Sequence, residues 1–289
     1  MTQAQASQPA QHQAILTKLV IRQWGASKTD QSVTSEIHAM KAADAFAGRY
    51  VKNLIDPKAM RAIRHHATGA RLAHYNLTRA WEDGRRLLPT ALMGEYTLKL
   101  EDHARQHDQA VVEFLEVYPK MINQAKLSLG DMFLETEYPS VEELRDMFSI
   151  QWNFEPVPHG AALPMSIQDR EKLSEAIEKE ARAKLAESQE ALFYRVKNAL
   201  EGFSNKLASY GSKLEAGEHT KFHSSILNEL EDLADLLPKL NIENDPFMDG
   251  IAQKLKEKLL ALDVEALKEN PHARTKAMVE ANSILESFG

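Results

Sequence analysis

From Ser166 to Tyr210 apolar residues recur every three to four positions, interrupted by one Gly and no Pro. That spacing is the mark of one face of an α-helix. A single helix over this stretch would reach about 65 Å at 1.5 Å per residue. Its later half has a dense seam, Leu192, Val196, Ala199/Leu200, Phe203, Leu207 and Tyr210, stepping by three and four as in a coiled coil. Its earlier half is thinner, with Leu173, Ile177, Ala181 and Leu185 set among charges. Ile226–Leu240 and Ile251–Leu267 carry matching stripes, and the pattern predicts that they fold back on the long helix as an antiparallel bundle.

Ahead of Ser166 the period changes. Leu16, Leu19, Val20, Ile21 and Trp24, closed by Gly25, predict a strand over 16–24. Phe148, Ile150, Trp152 and Phe154 alternate strictly with polar residues, which predicts a second strand over 148–157 with one buried face. The two are expected to pair. Between them, Val33, Ile37, Met40, Ala47, Val51 and Leu54/Ile55 predict a helix from about Ser32 to Ile55.

Punctuation supplies the helix boundaries. Asp56-Pro57, Asp245-Pro246 and Asn270-Pro271 each put a capping oxygen before a Pro whose missing N–H costs nothing in a first turn. Ser140 with Glu143 reads as a capping box, and Ser166 with Asp169 as a weaker one. These signals predict helices at about 57–79, 140–147, 167–211, 246–268 and 271–287, with others at about 90–117, 119–129 and 219–240. Pro119 and Pro238 are expected to break or kink their runs. Pro and Gly in 157–165 mark a joint.

The expected fold is therefore mainly α. A lead-in over 1–13, Gln- and Ala-rich, reads as disordered. A compact α+β head spans 14–158, its helices joined by a small two-stranded antiparallel β ribbon. A linker covers 159–166, and an elongated antiparallel helical bundle or coiled coil covers 167–289.

Composition narrows the chemistry. Of 289 residues 43% are apolar, enough for a sizeable core, and the net charge of −7 argues against a chain built throughout to coat nucleic acid. There is no Cys, which removes disulfides, thiolate nucleophiles and Cys-based metal sites, and fits a reducing compartment. The first residues lack the basic and apolar parts of a signal peptide, and no run approaches the roughly 20 apolar residues of a membrane span. A cytoplasmic location and no membrane partner are the expectation.

One region is basic. Arg49–Arg86 holds nine Lys and Arg against Asp56, Glu82 and Asp83, with His65, His66 and His74 besides. Lys58, Arg61, His65, Thr68 and Arg71 share a helical stripe, Arg64 lies beside it, and Arg85 and Arg86 follow the Asp83-Gly84 turn. Such a face suits tracking phosphates; it equally suits a solvated face, or ion pairs with the acidic C-terminal half. Lys58, Arg61, Arg64, Arg71, Arg85 and Arg86 are the candidate nucleic-acid-binding residues.

Two His pairs, His103/His107 and His219/His223, stand at i, i+4, half of a zinc site. Ala104 stands where an H-E-x-x-H motif would place its Glu, and Glu101, Asp102 and Asp108 near the first pair occupy adjacent helix positions that do not share its face, so solvated helix surface is the favoured reading. Glycine-rich phosphate loops, G-x-S-x-G and S-x-x-K are absent. No catalytic residue, metal ligand or cofactor is assigned.

Five segments, LTKLVIRQWGASKTD (16–30), WEDGRRLLP (81–89), YPKMINQAKLSLGDMF (118–133), EYPSVEELRDMF (137–148) and SIQWNFEPVP (149–158), resemble a domain family of unknown function found in phages, prophages and other mobile elements. The likeness covers about 15–158. It brings no catalytic residues, but its genes often neighbour those of AAA-type ATPases and von Willebrand A-like modules, which implies an accessory role in a multi-protein system. The leading expectation is a non-enzymatic helical protein–protein interaction protein of phage or prophage origin, partnering itself or an AAA-type ATPase system in the bacterial cytoplasm. A nucleic-acid-binding accessory factor is the alternative, and a metal-dependent enzyme built on the His pairs is a third.

Overall fold

The structure is a computed structural model that describes residues 13–82, 84–158, 167–217, 222 and 225–288. The chain forms two compact units that do not follow chain order: one comprises 1–18, 75–94 and 154–289, the other 19–74 and 95–153. The division cuts two strands, β1 (Ala14–Arg22) and β6 (Ser149–Pro156), and two helices, α2 (Arg61–Asn76) and α3 (Met93–Leu129). Helix predominates, as expected.

The sheet is larger than the two-stranded ribbon expected. It has four strands in the order β4–β5–β1–β6, with β4 at Arg79–Glu82 and β5 at Arg85–Pro89. The segment read from sequence as a bare turn is thus the tip of a hairpin. Gly84 at φ +75° supplies its left-handed position, and a register shift between Ala80 and Glu82 bulges the pair. Short, Arg-rich strands offer no alternation to read. β1 and β6 are sheet neighbours as expected, and β1 pairs antiparallel with β5 through Leu16 opposite Leu87.

In the first unit, helix α5 runs Ile167–Glu215 without interruption. Its dense seam is buried at Leu192, Val196, Leu200, Phe203 and Leu207, and it packs against α6 (Ser225–Leu240), α9 (Pro271–Glu286) and β4. Further toward its N-terminus, Ala181 and Leu185 bury against Leu16, Trp81, Leu87 and Ile242, while Leu173 stays exposed. Pro238 sits inside α6 without ending it. The helix expected over 246–268 is instead α7 (Pro246–Lys254), a π-helical turn at Leu255–Leu259 and a separate α8 (Val264–Glu269) capped by Asp263. The extra residue in that turn keeps both Leu255 and Leu259 buried.

Arg79 ties this unit together from within. It is 2% exposed, and its guanidinium donates to Ser188 Oγ (3.0 Å), the carbonyls of Leu240 and Leu185, and both carboxylate oxygens of Glu243. Ser188 is a buried polar residue that interrupts the apolar stripe of α5 between Leu185 and Leu192.

In the second unit the helix expected over 32–55 is replaced by a shorter one. Helix α1 covers Gln31–Lys41, capped by Asp30 Oδ1. Ala42 then turns left-handed (φ 47°), its N–H bonding Ala39 O while the Ala43 N–H bonds His38 O, which closes the helix without Gly. The chain returns as β3 (Val51–Asn53), paired with β2 (Ser27–Thr29). α3 runs through Pro119 as one helix where two were expected. Only one backbone N–H is missing there, and Val111, Phe114, Leu115 and Tyr118 before and at that turn, with Met121 and Ile122 after it, hold both halves on the core. The Ser140–Glu143 capping box forms both of its bonds at the start of α4 (Val141–Asp146). The core gathers Met60 and Ile63 with Phe114, Tyr118, Leu144 and Phe148, and Trp24 packs edge-on against Tyr118.

Candidate interaction surfaces

Helix α2 owes its position to its small apolar face. Asp56 Oδ1 accepts the Lys58 N–H (2.9 Å) and Pro57 opens a 3-10 turn, from which α2 starts at Arg61. Ile63, Ala67, Ala70, Ala73 and His74 are buried, so the opposite side faces solvent. On that side Lys58, Arg61, Arg64, His65, Thr68 and Arg71 are all exposed. Arg64 reaches the Pro57 carbonyl at 3.5 Å, and among the described residues no carboxylate pairs with Lys58, Arg61, Arg64 or Arg71. Of the three readings left open by the sequence, internal ion pairing does not hold for these four among the described residues.

The other two candidate cations, in the first unit, are engaged inside it. Arg85 pairs with Glu82 (3.0 Å) and Glu155 (3.4 Å), and Arg86 donates to Thr78 Oγ1 and the Thr78 carbonyl and covers the Tyr75 ring. Lys184 also contacts Glu82. Asp83 lies outside the described residues.

Lys52, counted with the basic region, proves to be buried. It is 2% exposed and lies 3.1 Å from Asp30 Oδ2 and 2.9 Å from Glu137 Oε2, while donating to Met132 O. Burial works to lower its pKa, but hydrogen bonds to Glu137 and Asp30 outweigh that and raise it. The ammonium stays charged and joins β3 to the 132–137 loop; it is a structural pin, not a nucleophile.

The His residues divide. His219 and His223 lie outside the described residues. His103 and His107 share a face of α3, and His66 of α2 stands against them, its ring centroid 6.4 Å from that of His103. Gly69 makes room: a Cβ there would fall 2.4 Å from His103 Cε1. His107 is fully buried against Phe148, and His66 Nδ1, His103 Nδ1 and His107 Nε2 have no hydrogen-bond partner. Burial, then the neighbouring His65, His103 and His107, hold the His66 pKa below its usual value. Among the described residues no group of three His, Asp or Glu is placed to hold a metal ion.

A further surface was not legible in the sequence. The end of α1 and the loop after it expose Ile37, Met40 (82%), Phe46 (100%) and Val51. The stripe that suggested a buried helix is thus partly on the surface, because α1 stops at Lys41. The loop is tied down: His38 Nε2 lies 3.0 Å from Gly48 O, Thr34 Oγ1 accepts the Tyr50 N–H, and Asp30 N–H bonds Tyr50 O. A Phe held fully in water on an anchored loop is a preformed apolar projection.

An open cleft of about 680 Å3 also lies in this unit, between residues 53–59 and the last turns of α3, with Lys58, Met121 and Ser128 among its lining. No helix among the described residues is long and apolar enough to cross a membrane. Comparison with protein families, curated proteins and solved structures finds no match to this chain.

Proposed function

We propose that this chain is a non-enzymatic helical interaction protein that docks on a protein partner through the apolar projection at Met40 and Phe46. The observation that carries the reading is Phe46 itself, fully exposed on a loop whose backbone is held by hydrogen bonds to α1. Leaving a large aromatic in water is unfavourable by about 1.5–3 kcal/mol relative to burial, and an anchored loop loses little entropy when a partner covers it. The likeness of 15–158 to a phage and prophage family supports an accessory role in a bacterial host's cytoplasm, with an AAA-type ATPase system or a second copy of the chain as the partner. In the same reading α5, α6 and α9 form an antiparallel bundle.

The test is site-specific photo-crosslinking in cells that carry the gene, with a photoreactive phenylalanine derivative at position 46 and, as control, at the equally exposed Leu127 (86%). A discrete polypeptide adduct from position 46 alone, lost when Met40→Ser is added, is the expected result. Equal or absent adducts at both positions would rule the docking role out. Sedimentation velocity of the purified chain separates self-association from a foreign partner.

A further inference from the structure

The solvent face of α2 is independent of the Phe46 projection and points to a different ligand. Arg61, Arg64 and Arg71 fall within an arc of about 80° around the helix, and along it Arg61 to Arg71 spans about 15 Å. Lys58 extends the row from the preceding turn. Lys58/Arg61 and Arg61/Arg64 are like charges three residues apart, an arrangement that weakens a helix by a few tenths of a kcal/mol per pair. All four side chains are exposed, and among the described residues no carboxylate pairs with them to offset that repulsion. A bound anion relieves it.

We propose that this face binds the phosphodiester backbone of a nucleic acid. One strand of a duplex sets a phosphate about every 3.4 Å, so the roughly 15 Å from Arg61 to Arg71 faces about four phosphates, enough for each Arg to meet its own, with Lys58 lying beyond that span. Three of the four are Arg, whose planar fork fits two phosphate oxygens at once. An anionic membrane is the weaker match. A helix lying on lipid must insert its apolar face, and the apolar face of α2, Ile63, Ala67, Ala70 and Ala73, is already buried in the protein core. What remains exposed beside the row is Leu72 and Tyr75, too little apolar surface to hold a helix in lipid, whereas the charge suffices for a polyanion through counterion release. Contacts to phosphate carry no base sequence, so binding is expected to be indifferent to it.

The experiment is fluorescence anisotropy of the full chain with labelled duplex DNA, single-stranded DNA and RNA, alongside flotation with phosphatidylserine vesicles. Four phosphate contacts give a slope of about −3.6 in log affinity against log salt on duplex DNA, or roughly a hundredfold loss between 50 and 200 mM. Arg61→Glu/Arg64→Glu/Arg71→Glu is expected to abolish binding at low salt with the circular dichroism and melting temperature retained. The neutral triple Gln variant is expected to reduce the slope by about 2.7. Lys120→Glu, an exposed cation on α3, controls for charge reversal away from the α2 face and is expected to leave binding nearly unchanged. No binding at low salt, binding that survives both triple variants, an equal loss with Lys120→Glu, or binding to vesicles alone would each overturn the proposal. Phe46→Ser is expected to leave it intact, so failure here and failure of the docking role are distinguishable.

Discussion

Arg79→Met is the substitution with the clearest expected cost. The wild-type guanidinium sits at 2% exposure with Ser188, Leu185, Leu240 and Glu243 as acceptors. Removing one partner of a buried pair costs about 3–5 kcal/mol, because the other charge loses its compensation. Two features place this site at the lower end. The Glu243 side chain is 27% exposed and recovers part of its hydration, and Leu240 O keeps a second donor in the Ile242 N–H. A loss of about 3 kcal/mol follows, or roughly 6–12 °C in melting temperature for a unit of this size. Glu243→Gln keeps one acceptor but leaves the buried guanidinium without a counter-charge, and should cost about 3 kcal/mol as well. Arg79→Met/Glu243→Leu removes both charges and should be more stable than Arg79→Met alone. Urea unfolding of the four proteins, with hydrogen exchange followed over 179–190 and 236–250, measures these costs and locates them. An Arg79→Met cost below about 1 kcal/mol, or exchange protection unchanged at those segments, would refute the view of Arg79 as the internal tie.

Gly69→Ala drives a methyl into the His103 ring and should destabilise by about 1–3 kcal/mol in thermal melts. Gly202→Ala, in the interior of α5 with open space around it, should stabilise by about 0.5–1 kcal/mol. The reverse order would mean that the packing of α2 on α3 is looser than described. His66 titrates below its usual value when folded, so below about pH 6.5 the unfolded chain takes up a proton that the folded chain refuses. Stability from this residue is therefore complete above that pH and falls as pH drops toward the folded pKa, where the loss levels off. His66→Leu should flatten the stability-against-pH curve between pH 7 and 5; an unchanged slope would show that the His cluster does not set it.

The local elements were read well because their causes are local. The Ser140–Glu143 box, the Asp56, Asp245 and Asn270 caps and the 3.6 period of α5 each involve residues within a turn or two of one another. The misreadings share the opposite origin. α1 ends at Ala42 through a left-handed turn without the usual Gly, so nothing in composition marks it. The 79–89 hairpin has too few apolar positions to alternate, and becomes strand because β1 is there to pair with it. Of six candidate cations, the sequence could not tell Arg85 and Arg86, held by acceptors in their own unit, from Lys58, Arg61, Arg64 and Arg71.

By itself, then, the chain's order of residues determined helix predominance, most helix starts, the existence of β1 and β6, and the absence of thiol chemistry. Only the tertiary structure decided which charges are neutralised and which apolar residues reach water. Lys52 and Arg79 were bound by Asp30, Glu137 and Glu243 from remote parts of the chain, and Phe46 was left outside. Periodicity encodes a face relative to its own helix axis; what that face meets depends on segments brought together by folding, and those distances are not written between sequence neighbours.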